Sequence, residues 1–305
     1  MSFNQGWTYQ DTVKRDSAGK TVLNYYSDRY KHSTSSEWQQ RIETGQILLN
    51  GKPTKPDIVL DLGQELVYQR PPWEEPAVPL SFETIYEDAD IVVINKPSGL
   101  PVLPGGKFLE HTLLFLLQRL YPENTPIPIH RLGRGTSGLM LLARTKKAKS
   151  CLSQQMRDRK ISKIYLAKAA GTISQDKFSI SDRIGKIDHP YLGYIYGATP
   201  SGKEAYSKCQ VIKRDNSYTI VEVNILTGRP HQIRIHLAAA GYPLLGDPLY
   251  LPGGIPLVDK ERIITPSHCG YFLHAHRLSF IHPGTKQQIS FACQPPASFN
   301  HGCSV

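Results

Sequence analysis

The sequence has no pair of cysteines in a Cys-x-x-Cys spacing. Its five cysteines, Cys151, Cys209, Cys269, Cys293 and Cys303, are odd in number and widely scattered. That pattern argues against a secreted disulfide framework and against a structural zinc site. The chain also lacks any apolar run near the roughly 18 residues that a membrane span requires. Its first residues, MSFNQGWTYQDTVKRDS, hold no apolar core for a secretory signal, and their acids disfavour a transit peptide. The expected location is therefore cytoplasmic. No internal repeat or low-complexity tract breaks the chain.

Acid is scarce as well. Lys and Arg number 36 against 26 Asp and Glu, a formal charge of +10 over 305 residues. No Asp or Glu occurs from Asn124 to Arg157, a stretch that carries Arg131, Arg134, Arg144, Lys146, Lys147, Lys149 and Arg157. A second acid-free window, Asn224 to Gly246, carries Arg229, His231, Arg234 and His236. Lys146, Lys147 and Lys149 suit a solvated helix face. The arginines at 131, 134, 229 and 234 sit beside glycines or at a helix start, where backbone can approach a ligand closely. If the two windows converge, they make a cleft for a polyanion.

Hydrophobic patterning divides the chain at a connector, PPWEEPAVP (71–79), whose four prolines block helix and sheet alike. Residues 1–70 read as a small unit. Two helical patterns, TVLNYYSDRY and SSEWQQRIETG, stand there, the second capped at Ser35 or Ser36 and ended by Gly45. A turn at Asn50-Gly51 follows, and DIVLDLGQELVYQ alternates like a strand pair. In residues 80–305, IVVIN, GLMLLART, ISKIYLAKAAG and SYTIVEVNIL read as strands. HTLLFLLQRLYP and TKKAKSCLSQQMRDRK read as helices, the latter capped by Thr145. PHQIRIHLAAAG reads as a helix with Pro230 at its first position and Gly241 past its end. His268, Cys269, His274, His276 and His282 cluster near the C-terminus without a metal-binding spacing, and HAHRLSF reads as a strand edge.

Two motifs mislead. Gly133-Arg-Gly135-Thr-Ser-Gly138 satisfies G-x-G-x-x-G, but an apolar strand follows it instead of a helix, and the acid twenty residues on, Asp158, lies in a basic helix. A dinucleotide site needs the opposite context. A phosphate-binding loop fails too, because Leu139 stands where its lysine belongs. Thr136 and Ser137 near His130 suggest an activated hydroxyl, yet no acid nearby in sequence would orient the histidine, and such hydroxyls also cap tight loops.

Four segments in order resemble the RluA-type RNA pseudouridine synthases: NKPSGLPV (95–102), HRLGRGTSGLMLLA (130–143), KIYLA (163–167) and TGRPHQIRIHLAAAGYPLLGDPLY (227–250). FLHAHRLSFIHP (272–283) is similar to the closing segment of that family. SSEWQQRIETGQILLNGKPTKPDIVLDLGQELVY resembles the S4 RNA-binding module that often precedes the synthase domain. The resemblance implies an α+β fold with a mixed, largely antiparallel central sheet, flanking helices and a basic cleft. It implies an enzyme acting on structured RNA, rRNA or tRNA, with no cofactor and no metal; a monomer is the default expectation for an RNA-cleft enzyme of this size. The implied reaction breaks the C1′–N1 bond of a uridine, turns the base, and rejoins it through C5.

In that family the nucleophile is an aspartate in H-R-L-D, and Gly133 occupies its position here. Tyr165 matches the tyrosine that contacts the target base, and Arg234 the basic residue that pairs with the aspartate. His130, Arg131, Arg134, Thr136, Arg229, His231 and Gln232 are the implied RNA-binding residues. Glycine can act neither as nucleophile nor as base. Asp247, which matches a turn-forming family acid, and Glu110, Glu204 and Glu222 are the carboxylates to weigh as substitutes. Two functions compete: a synthase with altered site chemistry, and an RNA-binding protein that keeps the synthase fold without catalysis.

Overall fold

The computed structural model describes residues 3–259 and 264–299. It divides the chain into an N-terminal unit reaching Glu75 and a larger unit beginning at Pro76. Cys303 lies outside the described residues.

The N-terminal unit holds β1 (Trp7–Thr12), α1 (Val22–Arg29), α2 (Ser35–Glu43), β2 (Ile47–Leu49), β3 (Lys52–Pro53) and β4 (Glu65–Arg70). Its antiparallel sheet runs β1-β4-β2-β3. Trp38, Ile42, Tyr25, Tyr26, Leu60 and Leu66 form its core. The cap of α2 is Thr34, one residue ahead of the expected serines. Its hydroxyl accepts from Glu37 N–H while the Glu37 carboxylate accepts from the Thr34 N–H. That reciprocal box satisfies two free amides, which a serine already inside the helix cannot do. Asn50 and Gly51, both at positive φ, turn β2 into β3. The expected strand pair in 57–69 yields only β4; the earlier half is a turn with a single bridge, Thr21 to Val59.

The larger unit contains β5 (Glu83–Glu87), β6 (Ile91–Lys96), α3 (Leu113–Leu120), β7 (Ile127–Pro128), β8 (Ser137–Ala143), α4 (Lys146–Arg157) and β9 (Ser162–Ala170). It continues through β10 (Lys177–Ile180), β11 (Ile184–His189), β12 (Gly193–Ala198), β13 (Ser207–Arg214), β14 (Tyr218–Ile225), α5 (Gln232–Ala239), β15 (Leu273–Ile281) and β16 (Gln288–Ala292). The fold is α+β, built on a ten-stranded, mostly antiparallel sheet. The main order is β10-β13-β14-β9-β15-β8-β6-β5, with β16 beside β15 and β7 beside β8; β11 and β12 pair separately. Each face carries its own core. Val92, Ile94, Met140, Leu142, Val221 and Val223 meet α3 and α5, and Ile91, Val93, Leu139, Leu141 and Phe280 meet α4. This is why β6 and β8 read as unbroken apolar runs: both of their faces are buried.

Two expectations need correction. HAHRLSF belongs to β15, an interior strand between β9 and β8, and is not an edge. Its join to β8 is the sheet's one parallel pairing among the described strands, and Gly138 makes it possible. A Cβ on Gly138, at φ +105°, would fall 2.3 Å from the Ala275 carbonyl oxygen. Pro230 also lies outside α5. His231, in the left-handed region at φ 54°, is the N-cap, and the helix proper begins at Gln232. No described helix is long and apolar enough to cross a membrane.

Candidate active site

The loop between β7 and β8 carries the 130–138 motif. His130 is tied inward, its Nε2 accepting from the Leu141 N–H at 3.2 Å, and burial lowers its pKa to about 3. It is thus a neutral structural acceptor. Leu132 drops into the core, while Arg131 and Gly133 on either side stay exposed. Gly133 O accepts from the Thr136 N–H at 3.0 Å, closing a turn.

That turn is stitched to the 95–102 segment. Arg134 Nε donates to Gly99 O (2.9 Å), and Gly99 N returns a bond to Arg134 O (2.8 Å). Ser98 Oγ donates to Gly135 O at 2.8 Å. Lys96 is fully buried, and its Nζ donates to the carbonyls of Pro97 (2.7 Å), Leu100 (2.9 Å) and Arg134 (3.3 Å). Burial lowers the Lys96 pKa to about 7 from an ordinary 10.5. Between those values the unfolded chain binds a proton that the folded one releases, so this residue's contribution favours folding increasingly as pH rises from about 7 to 10.5. The difference in stability between wild type and Lys96→Met is expected to move toward wild type across that window in urea melts; a pH-independent difference would contradict this placement.

The third segment converges on the same place. Arg234, from α5, forms a two-pronged pair with Asp247: Nε to Oδ2 and Nη2 to Oδ1, both 2.7 Å, with side chains 3% and 0% exposed. Its Nη1 donates to Pro266 O at 3.1 Å, and the guanidinium lies 4.3 Å from the Tyr271 ring centroid and 5.0 Å from that of Tyr250. Asp247 Oδ1 also accepts from the N–H groups of Leu249 and Tyr250. Asp247 therefore supplies the charge compensation that a buried guanidinium demands. His231 Nδ1 donates to Tyr250 Oη at 2.8 Å, and that hydroxyl donates to Tyr196 O. Burial, then the Arg234 charge, lower the His231 pKa to about 3.

Tyr271 joins the segments. Its ring lies against Gly135, its hydroxyl reaches the space beside Gly133, and that hydroxyl pairs with Thr136 Oγ1 at 3.4 Å. Tyr165, on β9 between Val223 and Ala275, shares with Leu132, Ile233 and Tyr271 the core on that face of the sheet. Burial raises its phenol pKa. Gln232 is consumed internally: its Oε1 accepts from Thr227 and from the Arg229 N–H, and its Nε2 donates to Tyr206 O and Ser207 Oγ. Arg229 Nε donates to Glu204 O, leaving the rest of its guanidinium half exposed.

Among the sequence candidates, the structure joins Gly133, Arg134, Thr136, Arg234, His231 and Asp247 through these contacts. Glu222 is instead paired with Arg277, and Glu204 is an exposed partner of Arg183. Among the described residues other than its chain neighbours Leu132 and Arg134, only Tyr271 Oη and Thr136 Oγ1 fall within 4 Å of where a Gly133 Cβ would stand, so no carboxylate is there. Lys96, Tyr250 and Tyr271 escaped sequence reasoning. Lys96 sat inside a recognised motif, but a buried lysine has no signature of its own. Among the described residues no group of His, Cys, Asp or Glu has metal-holding geometry. His274 instead bonds Ser137 Oγ and Cys293 O.

The fold is that of the pseudouridine synthases. The human RNA pseudouridylate synthase domain containing 1 superposes with TM-score 0.55 at 24% identity, over 73% of this chain and 87% of that one. The sequence model of the RNA pseudouridylate synthase family matches residues 90–239. An uncharacterised RNA pseudouridine synthase of Synechocystis is 48% identical over 90% of this chain and 94% of its own length. RNA pseudouridine synthase 5 of Arabidopsis thaliana is 41% identical, over 90% and 88%. The ribosomal large subunit pseudouridine synthase D of Neisseria meningitidis is 35% identical, over 90% and 75%. The chain belongs to the RNA pseudouridine synthase family.

Proposed function

We propose that the protein isomerises uridine to pseudouridine in structured RNA, rRNA or tRNA, as a cytoplasmic monomer needing no cofactor. The C1′–N1 bond breaks, the base turns, C1′ bonds to C5, the C5 hydrogen leaves as a proton, and N1 gains one. The observation that carries this reading is the convergence of three separate segments, 96–100, 130–138 and 231–250, through Lys96, Tyr271 and the Arg234–Asp247 pair. Such a surface suits a uridine taken out of its stack. Tyr165 lies against the base, and Arg131, Arg134 and Arg229 take phosphates. Arg234 orders the centre from beneath, and Gly133 stands at the nucleophile's place. The N-terminal unit acts as an S4-like RNA-binding module.

A second reading, an RNA-binding protein without catalysis, draws on the lack, among the described residues, of a carboxylate within 4 Å of the Gly133 Cβ position. Pseudouridine mapping separates the two. RNA from cells with and without the gene is treated with a carbodiimide that marks pseudouridine, and rRNA and tRNA are read for reverse-transcription stops. Under the synthase reading at least one stop vanishes with the gene and returns with it. An unchanged map, with the protein still bound to RNA, favours the second reading.

A further inference from the structure

Gly133 does not owe its identity to backbone conformation. Its φ lies outside the left-handed region, as does that of Gly135, so an ordinary L residue suits the local chain. What opposes a side chain at 133 is one atom. A Cβ built there would stand 2.8 Å from Tyr271 Oη, closer than real Cβ contacts come, and 3.4 Å from Thr136 Oγ1. No other atom of the Tyr271 ring is within 4 Å of that point. The ring itself lies against Gly135, whose Cβ would meet Cζ at 3.0 Å. Tyr271 has little freedom to move away: it is 5% exposed, packed in the core, and covered by the Arg234 guanidinium that Asp247 holds.

We infer that Gly133 and Tyr271 are a matched pair, in which the phenol hydroxyl of Tyr271 takes the place of a residue-133 side chain. The hydroxyl is the polar group that this loop keeps beneath the reacting nucleotide, next to Arg234 and Thr136. Tyr271 is accordingly a positioning residue of the centre, and restoring a carboxylate at 133 requires shortening Tyr271 first. This assignment rests on the synthase reading for its catalytic half, while the steric half stands on geometry alone.

Two cycles on the full chain test it. The first compares thermal midpoints of wild type, Gly133→Ala, Tyr271→Phe and the double variant. Phenylalanine keeps the ring under Gly135 and removes only the obstructing oxygen. Gly133→Ala is expected to lower the midpoint by several degrees, and Tyr271→Phe to recover at least half of that loss. Additive shifts, or an alanine tolerated beside the intact tyrosine, would overturn the pairing. The second cycle measures tritium release from RNA carrying [5-³H]uridine by Gly133→Asp with and without Tyr271→Phe. The double variant is expected to release at least tenfold faster than Gly133→Asp alone. Equal, measurable rates would refute the claim that Tyr271 holds that place in the reaction. Coupled midpoints with no release from any variant or from wild type would keep the steric pair and remove the synthase reading together with the catalytic half.

Discussion

Replacing Asp247 with asparagine is expected to cost the fold about 3–5 kcal/mol, because it strips the counter-charge from a guanidinium that has no route to water. The pair is two-pronged, both distances are 2.7 Å, and neither side chain is more than 3% exposed. An amide keeps the shape and an oxygen acceptor toward the Leu249 and Tyr250 amides, so the loss reports charge more than packing. The control is a double change, Arg234→Met with Asp247→Leu. Removing both charges is expected to destabilise less than Asp247→Asn alone, since a buried pair gains little over apolar residues of similar volume. Urea unfolding of the three variants decides the matter. A loss below ~1 kcal/mol for Asp247→Asn would mean that the pair is reached by water.

The second large effect is in RNA affinity. Each phosphate neutralised releases counterions, and log K falls by about 0.7–0.9 per contact for each unit of log salt. Arg131, Arg134 and Arg229 are the three proposed contacts at the cleft. They alone predict a roughly 20- to 40-fold weakening between 50 and 200 mM salt. Arg131 is the most exposed of the three, and Arg131→Ala is expected to reduce the slope by about one unit. Filter binding or fluorescence anisotropy at four salt concentrations measures both. A flat salt response would eliminate the basic cleft. The exposed Lys146, Lys147 and Lys149 on α4 serve as a comparison, since the expectation for them is a solvated helix face.

Much of the frame was legible because burial writes itself into residue type. β6 and β8 were readable as apolar runs, and α4 as a helix started by Thr145, whose hydroxyl does accept the Ala148 N–H. Segment order and motif wording carried the family. The differences have two causes, a local reciprocal box in one case and partners distant in sequence in the other. The α2 cap shifted to Thr34 because Glu37 completes a reciprocal box with it. β15 read as an edge because its partners, β8 and β9, lie more than a hundred residues upstream.

The site was legible as segments but not as contacts. Nothing in the string LLGDPLY says that its aspartate reaches thirteen residues back to Arg234. Nor does the glycine at 133 announce that a tyrosine 138 positions later fills the space beside it. His130 and Gln232, implied as RNA-binding by motif position, make hydrogen bonds within the protein, His130 through Nε2 and Gln232 through both ends of its amide. Polar residues in a tight loop look alike in sequence whether they serve a ligand or the backbone.

The most direct test of the central claim is tritium release from [5-³H]uridine-labelled total rRNA and tRNA incubated with the purified full-length protein. Release means that a C5–H bond has been exchanged for a C5–C1′ bond, which binding cannot do. The account predicts release from at least one of the two RNA pools, lost in Tyr165→Phe and strongly reduced in Arg234→Met. No release from either pool, by a folded protein that still binds them in a salt-dependent way, would contradict it.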